Sequence, residues 1–140
     1  MKKINKKNGF TLIELIIVMV ILGIMAAVAV PRYLDSISNA EESAEDAVIS
    51  AIKSGLKAAA NDSLYTNGRA SWPTNPFDVL SEKPAGYSTD DSDADIDGEW
   101  TFSGGRITHQ RADNSRFEWT YNKGTQDGDN AEIGTLAGRT

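Results

Sequence analysis

The sequence predicts an α+β protein, a long N-terminal α-helix packed on a small antiparallel β-sheet of three to four strands. Three observations carry this expectation. Phe10 to Val30 is an almost unbroken apolar run. From Tyr33 to Ala59 apolar residues recur every three or four positions, the signature of a one-sided helix. From Trp100 to Tyr121 large apolar residues alternate with polar ones between turn signals, as in half-buried strands.

The apolar run is 21 residues long, which at about 1.5 Å per residue spans roughly 31 Å and matches the hydrocarbon thickness of a bilayer. Lys2, Lys3, Lys6 and Lys7 precede it, whereas Asp35, Glu41 and Glu42 follow it. The positive-inside rule therefore places the start of the chain in the cytoplasm and the rest outside. One carboxylate, Glu14, sits near the start of the run. A charge in a bilayer costs about 2.5 to 3.5 kcal/mol on insertion scales, so Glu14 calls for a functional partner. Gly23 and Pro31 are the positions where the helix can yield, Pro31 because it removes a backbone hydrogen bond and crowds the preceding turn.

The amphipathic half is expected over about 31–60, stopping near Asn61, with Val48, Ile52 and Leu56 facing the core. Asp35, Glu41, Glu42, Glu45, Asp46, Lys53 and Lys57 are placed mainly on the opposite face, acids first and lysines later, the order that suits the helix dipole. Residues 61–98, rich in Asn, Asp, Ser, Gly and Pro, read as a long connection with a short helical turn around Pro76 to Leu80. The sheet is expected over about 99–122, with turns at Gly104-Gly105 and Asp113-Asn114. One face, carrying Trp100, Phe102, Ile107, Phe117 and Trp119, is to be buried under the helix. Residues 123–140 read as loop with a short strand near Ile133 to Leu136.

The block Gly9-Phe10-Thr11-Leu12-Ile13-Glu14, with its lysine-rich leader and an apolar run ending at Pro31, resembles the class III signal of the type IV pilin (prepilin) superfamily. The likeness covers about Lys6 to Asp35. It implies three segments: a leader, 1–9; a transmembrane and filament-core helix, 10–30; and a globular domain, 31–140. A prepilin peptidase would cut between Gly9 and Phe10 and methylate the new amine of Phe10. In assembly, Glu14 of an incoming subunit would meet the Phe10 amine of one already in place. Such a heterologous contact does not close and generates a helical filament. Gly23 and Pro31 match positions of helix flexibility in that family. The implied partners are further copies of a pilin chain, the inner membrane, the peptidase and a pilus or secretion assembly platform. The implied locations are the inner membrane, as a single-pass precursor with a cytoplasmic N-terminus, and then an extracellular pilus or a periplasmic pseudopilus.

Other readings of the same segment are a secretory signal cut after Ala27-Val28-Ala29 and a membrane-tethered binding domain that never polymerises. The carboxylate in the apolar run, its length and the helical pattern that continues past Pro31 argue against the first. A pseudopilin of a type II secretion system is the alternative within the superfamily. The Pro-x-Asp-Pro-Trp-Gly stretch usual in major pseudopilins is missing. There is no cysteine, so the disulfide with which many pilins close their C-terminal region cannot form, and something else must hold that end.

Four of the 14 Lys and Arg lie in the leader, which leaves 10 basic against 20 acidic side chains. That balance disfavours nucleic acid as a partner. Arg106, Arg111 and Arg116 are expected on the outer face of the sheet, engaging carboxylates such as Glu118. Asp93-Ala94-Asp95-Ile96-Asp97-Gly98 fits the first half of a calcium loop, with carboxylates at alternate positions. The second half is missing, since Gly104 stands where a bidentate glutamate belongs. Calcium at Asp93, Asp95 and Asp97 is the one cofactor considered, against the reading of a solvated acidic loop; some cysteine-free pseudopilins that resemble this chain use it to order a C-terminal loop. His109, the only histidine, reads as a sheet residue. No nucleophile elbow, phosphate loop or histidine metal cluster appears, so an enzyme is not expected.

Overall fold

A computed structural model describes residues 9–125 and 134–140. Helix α1, Leu12–Asn67, runs without a break through Gly23 and Pro31. The fold divides into two compact units, Met1–Ala40 and Glu41–Thr140. In the first, the large apolar side chains from Phe10 to Leu34 are all exposed. By length and composition α1 is able to cross a membrane.

The second unit contains the rest of α1, a 3-10 turn at Pro76–Val79, and strands β1 (Trp100–Ser103), β2 (Arg106–Gln110), β3 (Arg116–Asn122) and β4 (Thr135–Leu136). The antiparallel sheet has the order β1-β2-β3-β4. Gly104 and Gly105 form the two-residue turn between β1 and β2, both with positive φ, which glycine adopts without strain. The register sets Trp100 opposite His109, Phe102 opposite Ile107, and Ile107 opposite Trp119. Directly opposed residues share a face, and this face packs with Ile49, Ile52 and Leu56 of α1 and with Phe77 into one core. The expected aromatic face is thus the buried one, although Phe102 and Phe117 are only half-buried.

Two expectations need correction. The helix ends at Asn67 instead of near residue 60, because Gly68, at φ +73°, supplies the left-handed cap and its N–H bonds to the Leu64 carbonyl at 2.9 Å. The 61–98 segment carries the expected short helical turn, at Pro76–Val79. This 3-10 turn is capped by Asn75, whose Oδ1 accepts from Phe77 N at 2.9 Å, and Tyr87 forms a parallel bridge to Trp100. On the outer face of the sheet Ala94 N donates to Thr108 Oγ1 at 2.8 Å, and Thr101, Thr108 and Ala94 are all buried there. The second correction is that Glu45 is not on the solvent side. It is fully buried, and it extends the stripe Ile49, Ile52, Leu56, Ala60 by one turn.

The buried Glu45 carboxylate is held by side chains from distant parts of the chain. Arg111 donates to it twice, from Nε and Nη2, each at 2.7 Å. His109 Nδ1 lies 2.9 Å from Oε1 and Arg139 Nη2 lies 3.2 Å from Oε2. Burial pushes the Glu45 carboxyl up, but the Arg111 and His109 hydrogen bonds and charges outweigh it and leave the group below its ordinary range. The same contact, led by its hydrogen bond to Glu45, raises Arg111.

The C-terminal end is held without a disulfide. Thr140 and Glu118 exchange backbone hydrogen bonds at 3.0 Å, and Ala137 N donates to Thr120 O at 2.9 Å. The expected short strand is present at Thr135–Leu136; Ile133 and the leader through Asn8 lie outside the described residues.

Candidate assembly site at the N-terminus

The Gly9–Phe10 bond lies just ahead of α1, in chain without regular structure, and Phe10 is 89% exposed. None of the described residues of this unit covers it. Thr11 immediately precedes the first helical residue, and its carbonyl accepts from Leu15 N at 3.3 Å. Its hydroxyl accepts from Glu14 N at 3.3 Å, while Glu14 Oε2 accepts from Thr11 N and from Thr11 Oγ1, both at 2.8 Å. This reciprocal arrangement is a capping box, which satisfies donors left open at the helix start and sets a carboxylate in the first turn where the helix dipole favours it.

The geometry answers part of the question that Glu14 raises. Its charge has local partners even with the leader attached, and the pattern Thr-x-x-Glu ahead of an apolar run was there to be read. Only Oε2 is used. Among the described residues Oε1 receives no hydrogen bond, so one carboxylate oxygen remains open to a donor from outside the chain. Gly23, further along, has nothing within 4 Å of where a Cβ would stand, and Pro31 lies inside the helix.

The remaining candidates fall in the second unit. Asp93 accepts from Arg106 Nη2 at 2.9 and 3.0 Å and lies 3.9 Å from Arg116. Among the described residues no three His, Cys, Asp or Glu side chains gather into a group that could hold a metal ion. Glu99 Oε2 instead accepts from the backbone of Asp95 and Ile96 at 3.0 and 3.3 Å. Arg106 also pairs with Glu118 at 3.5 Å, as the outer-face reading anticipates. Arg111 leaves that group and enters the core beside Glu45, which sequence reasoning missed.

Residues 4–30 match a family model described as the prokaryotic N-terminal methylation motif. The chain carries a type IV prepilin N-terminus. Over 49 residues this prepilin is 49% identical to the type IV narrow pilus major component PilA5 of Thermus thermophilus, covering 35% of the chain and 42% of that relative. It is 46% identical over 55 residues to the type IV major alpha-pilin of Moraxella bovis, covering 39% and 35%. A longer match, 38% identical over 108 residues, is to the type IV major pilin protein PilE1 of Neisseria gonorrhoeae, covering 74% of the prepilin and 44% of that relative. The prepilin thus spans less than half the length of each of these relatives. No solved structure matches.

Proposed function

We propose that this prepilin is a structural subunit, not an enzyme, of a type IV pilus or pilus-like filament that is assembled from the inner membrane through its N-terminal helix. The observation that carries the reading is the combination at one end of α1: exposed apolar side chains from Phe10 to Leu34 and a single carboxylate with one oxygen open. The named relatives, all major pilins or pilus components, support it.

On this reading the peptidase cuts after Gly9 and methylates the Phe10 nitrogen. Cleavage converts an uncharged amide into a protonated amine one residue before the capping box. Oε1 of Glu14 in an incoming subunit accepts from the Phe10 amine of its predecessor, while Oε2 stays on Thr11. Desolvation cancels much of the Coulomb gain of such a pair, so it sets register more than it supplies stability. The cohesion comes from apolar helix surface removed from lipid or water by its neighbours.

Intact-mass and N-terminal analysis of protein from the membrane and sheared-surface fractions of the native host tests the first step. A chain beginning at methylated Phe10 is expected, and a start at Val30 or Met1 would remove the filament reading. Glu14→Ala is expected to be processed and retained in the membrane but to give few filaments by electron microscopy; normal filament yield would sink the role of Glu14. Recovery of the subunit in the sheared fraction, at native expression levels, distinguishes a surface pilus from a periplasmic pseudopilus.

A further inference from the structure

The last residues of the chain lie along β3 with little apolar anchorage. Of residues 134–140 none is fully buried, and Leu136 is the one large apolar side chain that packs, in part, against the core. What holds the segment is polar: the paired hydrogen bonds of Thr140 with Glu118, the Ala137 bond to Thr120, and Arg139. The Arg139 guanidinium spans a full helical turn of α1. It lies 2.6 Å from Glu42 Oε1, 2.7 Å from Asp46 Oδ1 and 3.2 Å from Glu45 Oε2, and it donates to the Glu42 carbonyl at 3.2 Å. It also sits over the rings of Phe117 and Trp119, at 5.7 and 5.9 Å from their centroids.

Glu45 does not depend on Arg139. With the strap away, the carboxylate still holds Arg111 through two bonds and His109 through a third, so α1 stays pinned to the end of β2. The two sets of interactions are therefore separable. One closes the core, and the other closes the strap onto the core.

We propose that residues 134–140 form a strap that opens as its own unit, latched by Arg139 onto the Glu42, Glu45 and Asp46 carboxylates. Segments with few buried apolar contacts open at lower free energy than the core they cover. Opening the strap bares the β3 edge at residues 118–122 and one side of Phe117 and Trp119. A planar guanidinium reaching three carboxylates is poorly replaced by lysine, a single point charge on a flexible stem.

The test uses the full processed chain in detergent, comparing the parent with Arg139→Gln and Arg139→Lys. In the parent, amide hydrogen exchange over 134–140 is expected to be at least about tenfold faster than over the β2–β3 core. Arg139→Gln is expected to accelerate that exchange about tenfold or more, with the near-UV signal of Trp100 and Trp119 unchanged and Arg139→Lys in between. Unchanged exchange in Arg139→Gln would overturn the latch. Strap and core exchanging at one common rate in the parent would overturn the separate unit.

Discussion

Glu45→Gln isolates the buried carboxylate on which the second unit depends. The substitution keeps the shape and removes the charge that Arg111, itself 4% exposed, meets through two hydrogen bonds inside the domain. Breaking a buried pair by removing one partner costs about 3 to 5 kcal/mol, because the remaining charge stays desolvated. For a domain of about 100 residues each kcal/mol moves the melting midpoint by roughly 4 to 8 °C. A fall of at least about 12 °C is therefore expected, followed by near-UV circular dichroism of the full processed chain in detergent. Lys57→Ala, at an exposed position on the same helix, is the control and should move stability by no more than about 0.5 kcal/mol. If Glu45 faced solvent, as its place among polar helix residues suggests, both variants would behave alike. A shift below about 3 °C for Glu45→Gln would refute the burial argument. The pH dependence carries the same sign. The folded Glu45 pKa lies below its ordinary 4.5, so its stabilisation is fully present above that value and is lost as pH falls through the lower folded one. Replacing Glu45, His109 and Arg111 together by apolar residues of similar volume is expected to recover much of the loss, since buried ion clusters are seldom net stabilising.

Gly86 has φ +80°, and a Cβ there would run into the Gly98 carbonyl oxygen, so Gly86→Ala is expected to lose at least about 1 to 3 kcal/mol in a denaturant melt; no loss would mean that this close approach is absent. Tyr121, whose hydroxyl donates to the Pro73 carbonyl at 2.5 Å, has its phenol pushed by burial up to about 12. Alkaline absorbance titration should therefore show a late component that Tyr121→Phe removes, with stability falling as pH rises from about 10 toward 12; a single wave near 10 would place the ring in water. Calcium and chelator are expected to give the same melting midpoint, because both Asp93 oxygens already accept from Arg106, and a midpoint raised by calcium would reverse that reading.

How much was legible in the sequence depended on how local the cause was. The apolar run, the one-sided helix and the three alternating strands come from contacts between near neighbours and from a simple division into buried and exposed faces, and each was found where the pattern put it. The N-terminal methylation motif is legible for the same reason, since it is a contiguous stretch of chain. The helix end was missed although Asn67-Gly68 signalled it, and the Thr11–Glu14 capping box was visible in the spacing.

What tertiary structure alone decided are the pairings between distant residues. Helical spacing assigns Glu45 to a stripe, but whether a carboxylate on that stripe is tolerated depends on hydrogen-bond partners 64 and 66 residues away, at His109 and Arg111. The C-terminal strap depends on an arginine 93 residues from Asp46. In the acidic loop, Ala94 covers Thr108 and Asp93 meets Arg106, contacts between residues 13 and 14 positions apart that the run of aspartates does not announce. In each case the energy of a charge is set by what surrounds it after folding, which a pattern along the chain does not contain.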